Sequence, residues 1–121
     1  MTVPGRFPGL NDYVEAERAN RYAAAKMKRD ETERVAAEAA AQKVPSFSRP
    51  VRLGFLWVEP NRRRDLDNVA FAKKFVLDGL VAAGVIAGDG PRLVAGFEDS
   101  FSIDKEDPRV EITIEEEGGR S

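Results

Sequence analysis

The 121-residue chain contains neither cysteine nor histidine. Their joint absence removes structural zinc sites, haem and iron–sulfur ligation through those residues, thiol nucleophiles, and every Ser–His or Cys–His catalytic arrangement. Any chemistry must come from carboxylates, lysine, arginine, tyrosine or hydroxyls. The opening MTVPGRFPGL lacks the roughly 7 to 15 apolar residues of a signal-peptide core, and no stretch approaches the roughly 18 apolar residues of a membrane span. A soluble, cytoplasmic protein with no membrane partner is expected, and the lack of disulfides suits that compartment. There is also no glycine-rich phosphate loop, so no nucleotide cofactor is expected.

What is present fits one domain, able at this length to bury a core without staples and to reach a radius of gyration of about 13 to 14 Å. Charge is plentiful but divided. The whole chain carries 19 basic and 21 acidic residues, whereas residues 1–74 hold 15 basic and 10 acidic and residues 75–121 hold 4 and 11. Such a split suggests one basic surface for an anionic partner beside an acidic remainder.

Pro4, Gly5, Pro8 and Gly9 allow at most a short edge strand around Thr2 and Val3. Asp12, with Glu15 three residues later, fits a capping box, and helical sequence continues to Gln42 before Pro45. A single helix of that length would span about 46 Å at 1.5 Å per residue, too long for this domain, and Asn20 is the best place for a break. So much alanine with so few bulky side chains makes this helix look poorly anchored, as though a partner surface were missing. VRLGFLWV at Val51–Val58 alternates as a central strand. Asp67 can cap a helix running to Gly84. Val85 and Ile86 read as a short return strand, GDGP as a tight turn, Leu93–Phe101 as a strand, and Val110, Ile112 and Ile114 as the buried face of a last one. The GGRS end reads as a frayed tail. The sum is an α+β domain: a small mixed sheet of about four strands packed with helices.

Asp65 and Asp67 flank Leu66 at a loop-to-helix junction, where spacing of two lets both carboxylates converge on one side. Mg2+ favours such a site, taking one or two protein carboxylates with water and phosphate oxygens. Arg62, Arg63 and Arg64 precede the pair and could hold a phosphate by bidentate contacts. A helix cap with salt bridges to those arginines explains the pair about equally well. Asp89, between two glycines, is a third acid that joins only if the chain reverses after the helix. Lys73 and Lys74 lie on the helix opened by Asp67; Lys74 falls near the same face if that helix is continuous.

RRRDLDN at Arg62–Asn68, the following FVLDGLVAAGV, the acid in GDG and the opening PGLNDY together resemble the RusA-type Holliday junction resolvases, small homodimeric Mg2+-dependent endonucleases often carried by phages and prophages. The resemblance implies a homodimer that hydrolyses phosphodiesters at paired symmetric sites of four-way DNA junctions, in a bacterial or phage-infected cell. By position it matches Asp65, Asp67 and Asp89 to the family's three catalytic, metal-binding aspartates, with Mg2+ as cofactor and Mn2+ as a substitute. Counted back from Asp78, Lys74 matches the family's catalytic lysine. Counted forward from Asp67 the place falls on Phe71, because the stretch is about three residues longer here, and Lys73 is the rival. Gly88 stands where the family usually has a second acid. Arg18, Arg21, Lys26, Lys28 and Arg29, with Lys73 and the arginine run, form the implied DNA-contact set. Two other classes remain open: a non-catalytic dimeric DNA-binding or regulatory protein with structural aspartates, and another Mg2+-dependent phosphoryl or glycosyl transfer enzyme.

Overall fold

Alternation of apolar and other residues along Val51–Glu59 builds strand β2, with Val51, Leu53, Phe55 and Trp57 buried on one side and Arg52, Gly54 and Leu56 more open on the other. A computed structural model of the chain, describing residues 1–117, places this strand at the centre of the sheet. We number the strands β1 (Thr2–Pro4), β2, β3 (Val94–Ile103) and β4 (Arg109–Glu116), and the helices α1 (Leu10–Ala19), α2 (Arg21–Ala41), α3 (Leu66–Ala70) and α4 (Lys73–Ala82). The sheet order is β1-β4-β2-β3, parallel between β2 and β3 and antiparallel elsewhere. The result is one α+β domain with a mixed four-stranded sheet. Its core joins Leu53, Phe55 and Trp57 to Phe75, Val76 and Leu80 of α4, Val35 of α2, and Val110 and Ile112 of β4. No described helix is long and apolar enough to cross a membrane.

The break at Asn20 is present. Asn20 ends α1 in an extended conformation and its Oδ1 accepts from Ala23 N at 2.8 Å, capping α2. Helix α1 starts earlier than the Asp12–Glu15 box predicts: Gly9 is its cap, and Asp12 Oδ2 accepts from Gly9 N at 2.8 Å. Asp12 therefore supplies the third-position half of a capping box, not the cap itself.

Helix α2 needs no missing partner to anchor it. It buries Ala24, Val35 and Ala39, and a Cβ added at Gly79 of α4 would collide with the Val35 side chain. The missing side chain at Gly79 lets α4 approach α2 closely at Val35 and Thr32, so the helices make contact with little bulk between them.

The helix expected from Asp67 to Gly84 is two helices. It breaks at Phe71–Ala72, where Phe71 packs against Tyr13 and Phe75, at 5.4 and 5.8 Å between ring centroids. Helix α4 closes on Gly84 at φ 75°, with Gly84 N bonding Val81 O and Val85 N bonding Leu80 O, the Schellman pattern that glycine's freedom at positive φ permits. Val85 and Ile86 form no strand; they are buried in the connection, where Val85 O accepts from Phe47 N. The following turn closes at Gly90–Val94, and β3 runs two residues past Phe101. The tail expected to fray, at 118–121, lies outside the described residues.

Candidate metal and nucleic-acid site

Period-two alternation puts Glu59 on the buried face at the end of β2, which requires compensation for its charge. Glu59 Oε1 accepts from Arg6 Nη2 at 2.8 Å and Arg64 Nε at 3.0 Å, and Oε2 accepts from Arg64 Nη2 at 2.9 Å. Burial alone would raise the Glu59 carboxyl. The hydrogen bonds and charges of Arg64 and Arg6 outweigh that and hold it below the ordinary carboxylate value. Arg64 also donates through Nη1 to Phe7 O at 3.1 Å. This corrects one expectation: Arg64 is turned inward as a structural clasp and is not free to hold a phosphate with its two neighbours.

Asn68 works in the same direction. Its Oδ1 accepts from Asn11 N at 2.9 Å in the first turn of α1, and a Cβ at Gly9 would run into Asn68 and Arg64. Thus Arg64 and Asn68 bolt the RRRDLDN segment onto the N-terminal region.

The other side chains of the motif face out. Asp65 occupies the cap position of α3 but makes no capping hydrogen bond, and Asp67 lies in the first turn. Neither carboxylate has a hydrogen bond or ion pair among the described residues, which removes the cap-and-salt-bridge explanation. Arg62 and Arg63 are exposed with equally unpartnered guanidinium groups; Arg63 contributes only its backbone N, donating to Asn61 Oδ1 at 3.0 Å. A groove of about 650 Å³ is lined by Glu59, Arg62, Asp65, Leu66, Phe101 and Ile103 among others.

Mg2+ takes few protein oxygens and keeps water and phosphate ligands, and Asp65 lines the groove with Arg62 in a way that suits it. Asp67 and Arg63 do not line that groove, and because Asp67 lies in the first turn of α3 rather than in extended chain, the spacing of two no longer sets both carboxylates on one side. The threefold set expected from sequence is not assembled: among the described residues, no three acidic side chains stand close enough to hold a metal ion. Asp89 is exposed in its turn, without a partner of its own.

The break between α3 and α4 also removes the argument that put Lys74 on the face of Asp67. Lys74 is exposed, with Nζ 3.6 Å from Asp78 Oδ1, and Lys28 approaches the other oxygen at 3.9 Å. Lys73 turns inward: its Nζ is 2.6 Å from Asp99 Oδ2 and lies 4.6 Å from the Phe97 ring centroid and 5.4 Å from that of Phe55. Asp99 Oδ1 in turn accepts from Trp57 Nε1 at 2.8 Å. Neither lysine is paired with Asp65 or Asp67. Of the remaining basic set, Lys26 pairs with Asp30, Arg21 lies over the Tyr22 ring, and Arg18 and Arg29 carry no partner among the described residues.

Sequence reasoning missed Glu59, Asn68 and Asp99. Glu59 was legible, since the alternation that buries Trp57 also buries the residue two further on. The partners of Asn68 and Asp99 lie 57 and 26 residues away, beyond the reach of local pattern. No family model matches the chain, and neither does any curated protein sequence.

Proposed function

We propose that this chain is a Mg2+-dependent, structure-specific DNA endonuclease that cleaves four-way junctions by phosphodiester hydrolysis, acting as a homodimer. One observation carries the reading: Asp65 and Asp67 stand outward and unpartnered beside equally unpartnered Arg62 and Arg63, on a loop clamped from behind by Arg64 and Asn68. Charged groups left idle on a tethered loop suit a ligand that supplies both a cation and an anion. The resemblance carried by RRRDLDN, the following helix and GDG narrows that ligand to a DNA phosphate.

In this reading Asp65 and Asp67 hold Mg2+, which when bound supplies an acidified water and stabilises charge developing on the phosphate. Arg62 and Arg63 grip phosphate oxygens and set the strand's position, sparing the metal pair that task. Arg64 acts only through position, fixing the loop that carries both aspartates. Arg18 and Arg29 extend the contact to flanking backbone. A C2 homodimer presents two such sites to the twofold axis of a junction, giving paired nicks on opposed strands.

The test is cleavage of a labelled synthetic four-way junction and a matched linear duplex in Mg2+, Mn2+ or EDTA. Paired symmetric nicks on the junction, dependent on metal and lost in Asp67→Asn, are expected. Binding without cutting in either metal would overturn the reading in favour of a non-catalytic DNA-binding or regulatory protein.

A further inference from the structure

Residues 18–29 hold five basic side chains, Arg18, Arg21, Lys26, Lys28 and Arg29, and no acidic one. The break at Asn20 folds this run into an elbow, with Arg18 in the last turn of α1 and the other four on α2. All five are exposed. Arg18, Arg21 and Arg29 have no acidic partner among the described residues. Lys26 pairs with Asp30 at the surface, and Lys28 reaches only within 3.9 Å of Asp78, contacts of the kind that contribute little.

A ring stands within this basic elbow. Tyr22 is 71% exposed, more than any other large apolar side chain described, and it takes no part in the core. Its contact is with its neighbour: the Arg21 guanidinium carbon lies 5.2 Å from the ring centroid, and Arg21 Nη2 donates to the Tyr22 hydroxyl at 3.3 Å. One guanidinium covers one face of a ring and leaves the other to solvent. Tyr22, Lys26 and Arg29 are spaced i, i+4, i+7, so the ring and two cations share a stripe of α2 about 10 Å long. The buried side of the helix is carried instead by Ala24, Val35 and Ala39.

We infer that the elbow between α1 and α2 binds single-stranded DNA, with Tyr22 stacking on an unpaired base and Arg18, Lys26 and Arg29 holding the phosphates on either side. The charge of the run, unrelieved by any acid within it, selects a polyanion. The open ring selects among polyanions. A duplex offers the elbow its phosphates but keeps its base faces stacked inside, whereas a single strand offers phosphates and a free base face together, the pairing that aromatic residues set among cations bind. This adds a ligand and a ring to the proposed function and rests on one part of it alone, that the partner is DNA. The metal and the cleavage step do not enter.

The test is fluorescence anisotropy in EDTA with a labelled oligothymidylate about 20 nucleotides long, a blunt duplex of the same length and the four-way junction. Tyr22→Ala is expected to weaken binding of the single strand about tenfold while leaving the duplex within about twofold, and Tyr22→Phe, which keeps the ring, to bind the single strand as the parent does. Arg29→Ala is expected to weaken single strand and duplex alike and to lower the salt slope of each by about one phosphate contact. The inference is overturned if Tyr22→Ala leaves single-strand affinity unchanged, if it weakens single strand and duplex by the same factor, or if Tyr22→Phe loses as much as Tyr22→Ala. A parent that binds the junction but not the oligothymidylate overturns this inference and leaves the nuclease reading standing. A parent that binds none of the three overturns both. Because Tyr22 lies outside the core, an unchanged far-ultraviolet spectrum is expected for each variant at this position.

Discussion

Within RRRDLDN, side chains that are neighbours in sequence have opposite fates. Arg64 and Asn68 face inward, one holding Glu59 and Phe7 O, the other the start of α1. Arg62, Arg63, Asp65 and Asp67 face outward with no protein partner for their charges among the described residues. The difference teaches that a charge run should be read side chain by side chain. The inward members tie the loop to β2 and to the N-terminal segment, and the outward members are the ones free to meet a ligand.

The contrast breaks most visibly at Arg64. Arg64→Ala leaves the buried Glu59 carboxylate with Arg6 alone and is expected to cost about 3 kcal/mol in urea unfolding, the scale for stranding one partner of a buried pair. Asn68→Ala should cost about 1 kcal/mol, the usual value of a lost helix cap. Acid should act on the inward half too. Because the folded Glu59 carboxyl lies below its unfolded value, its stabilisation is present above about pH 4.3 and is lost as pH falls through the folded value. A pH series of unfolding midpoints should therefore decline below about pH 4, with a shallower decline in Glu59→Gln. Changes in the outward half should barely register in stability. The double variant Arg62→Ala, Arg63→Ala is expected to stay within about 0.5 kcal/mol of the parent. Its junction affinity should fall, with the slope of log affinity against log salt reduced by about 2, one for each phosphate contact removed.

Much of this fold was legible. Alternation in VRLGFLWV and in Val110, Ile112 and Ile114 marks the two strands that carry the core, and Asn20 announces the break between α1 and α2 because its side chain can cap the second helix. The break at Phe71–Ala72 was not legible: no proline or glycine stands there, and the helix yields so that Phe71 can pack against Tyr13, 58 residues away. That tertiary preference also moved the lysines. Lys73 was carried to Asp99 and two aromatic rings, and Lys74 to Asp78, so a face count that assumed one continuous helix failed for both. Within the candidate site, the sequence singled out the aspartate pair and its basic neighbours as candidates, but could not tell which arginine was committed to Glu59. The choice depends on where the N-terminal segment carrying Arg6 and Phe7 comes to rest.

The most direct test of the division between inward and outward halves is made on Asp67→Asn, with unfolding free energy and Mg2+-dependent junction cleavage measured on the same preparation. Stability within about 0.5 kcal/mol of the parent, together with loss of cleavage, is the predicted result. A stability loss above about 1.5 kcal/mol, or cleavage that survives the substitution, would contradict it by showing that Asp67 serves the fold or that the chemistry lies elsewhere.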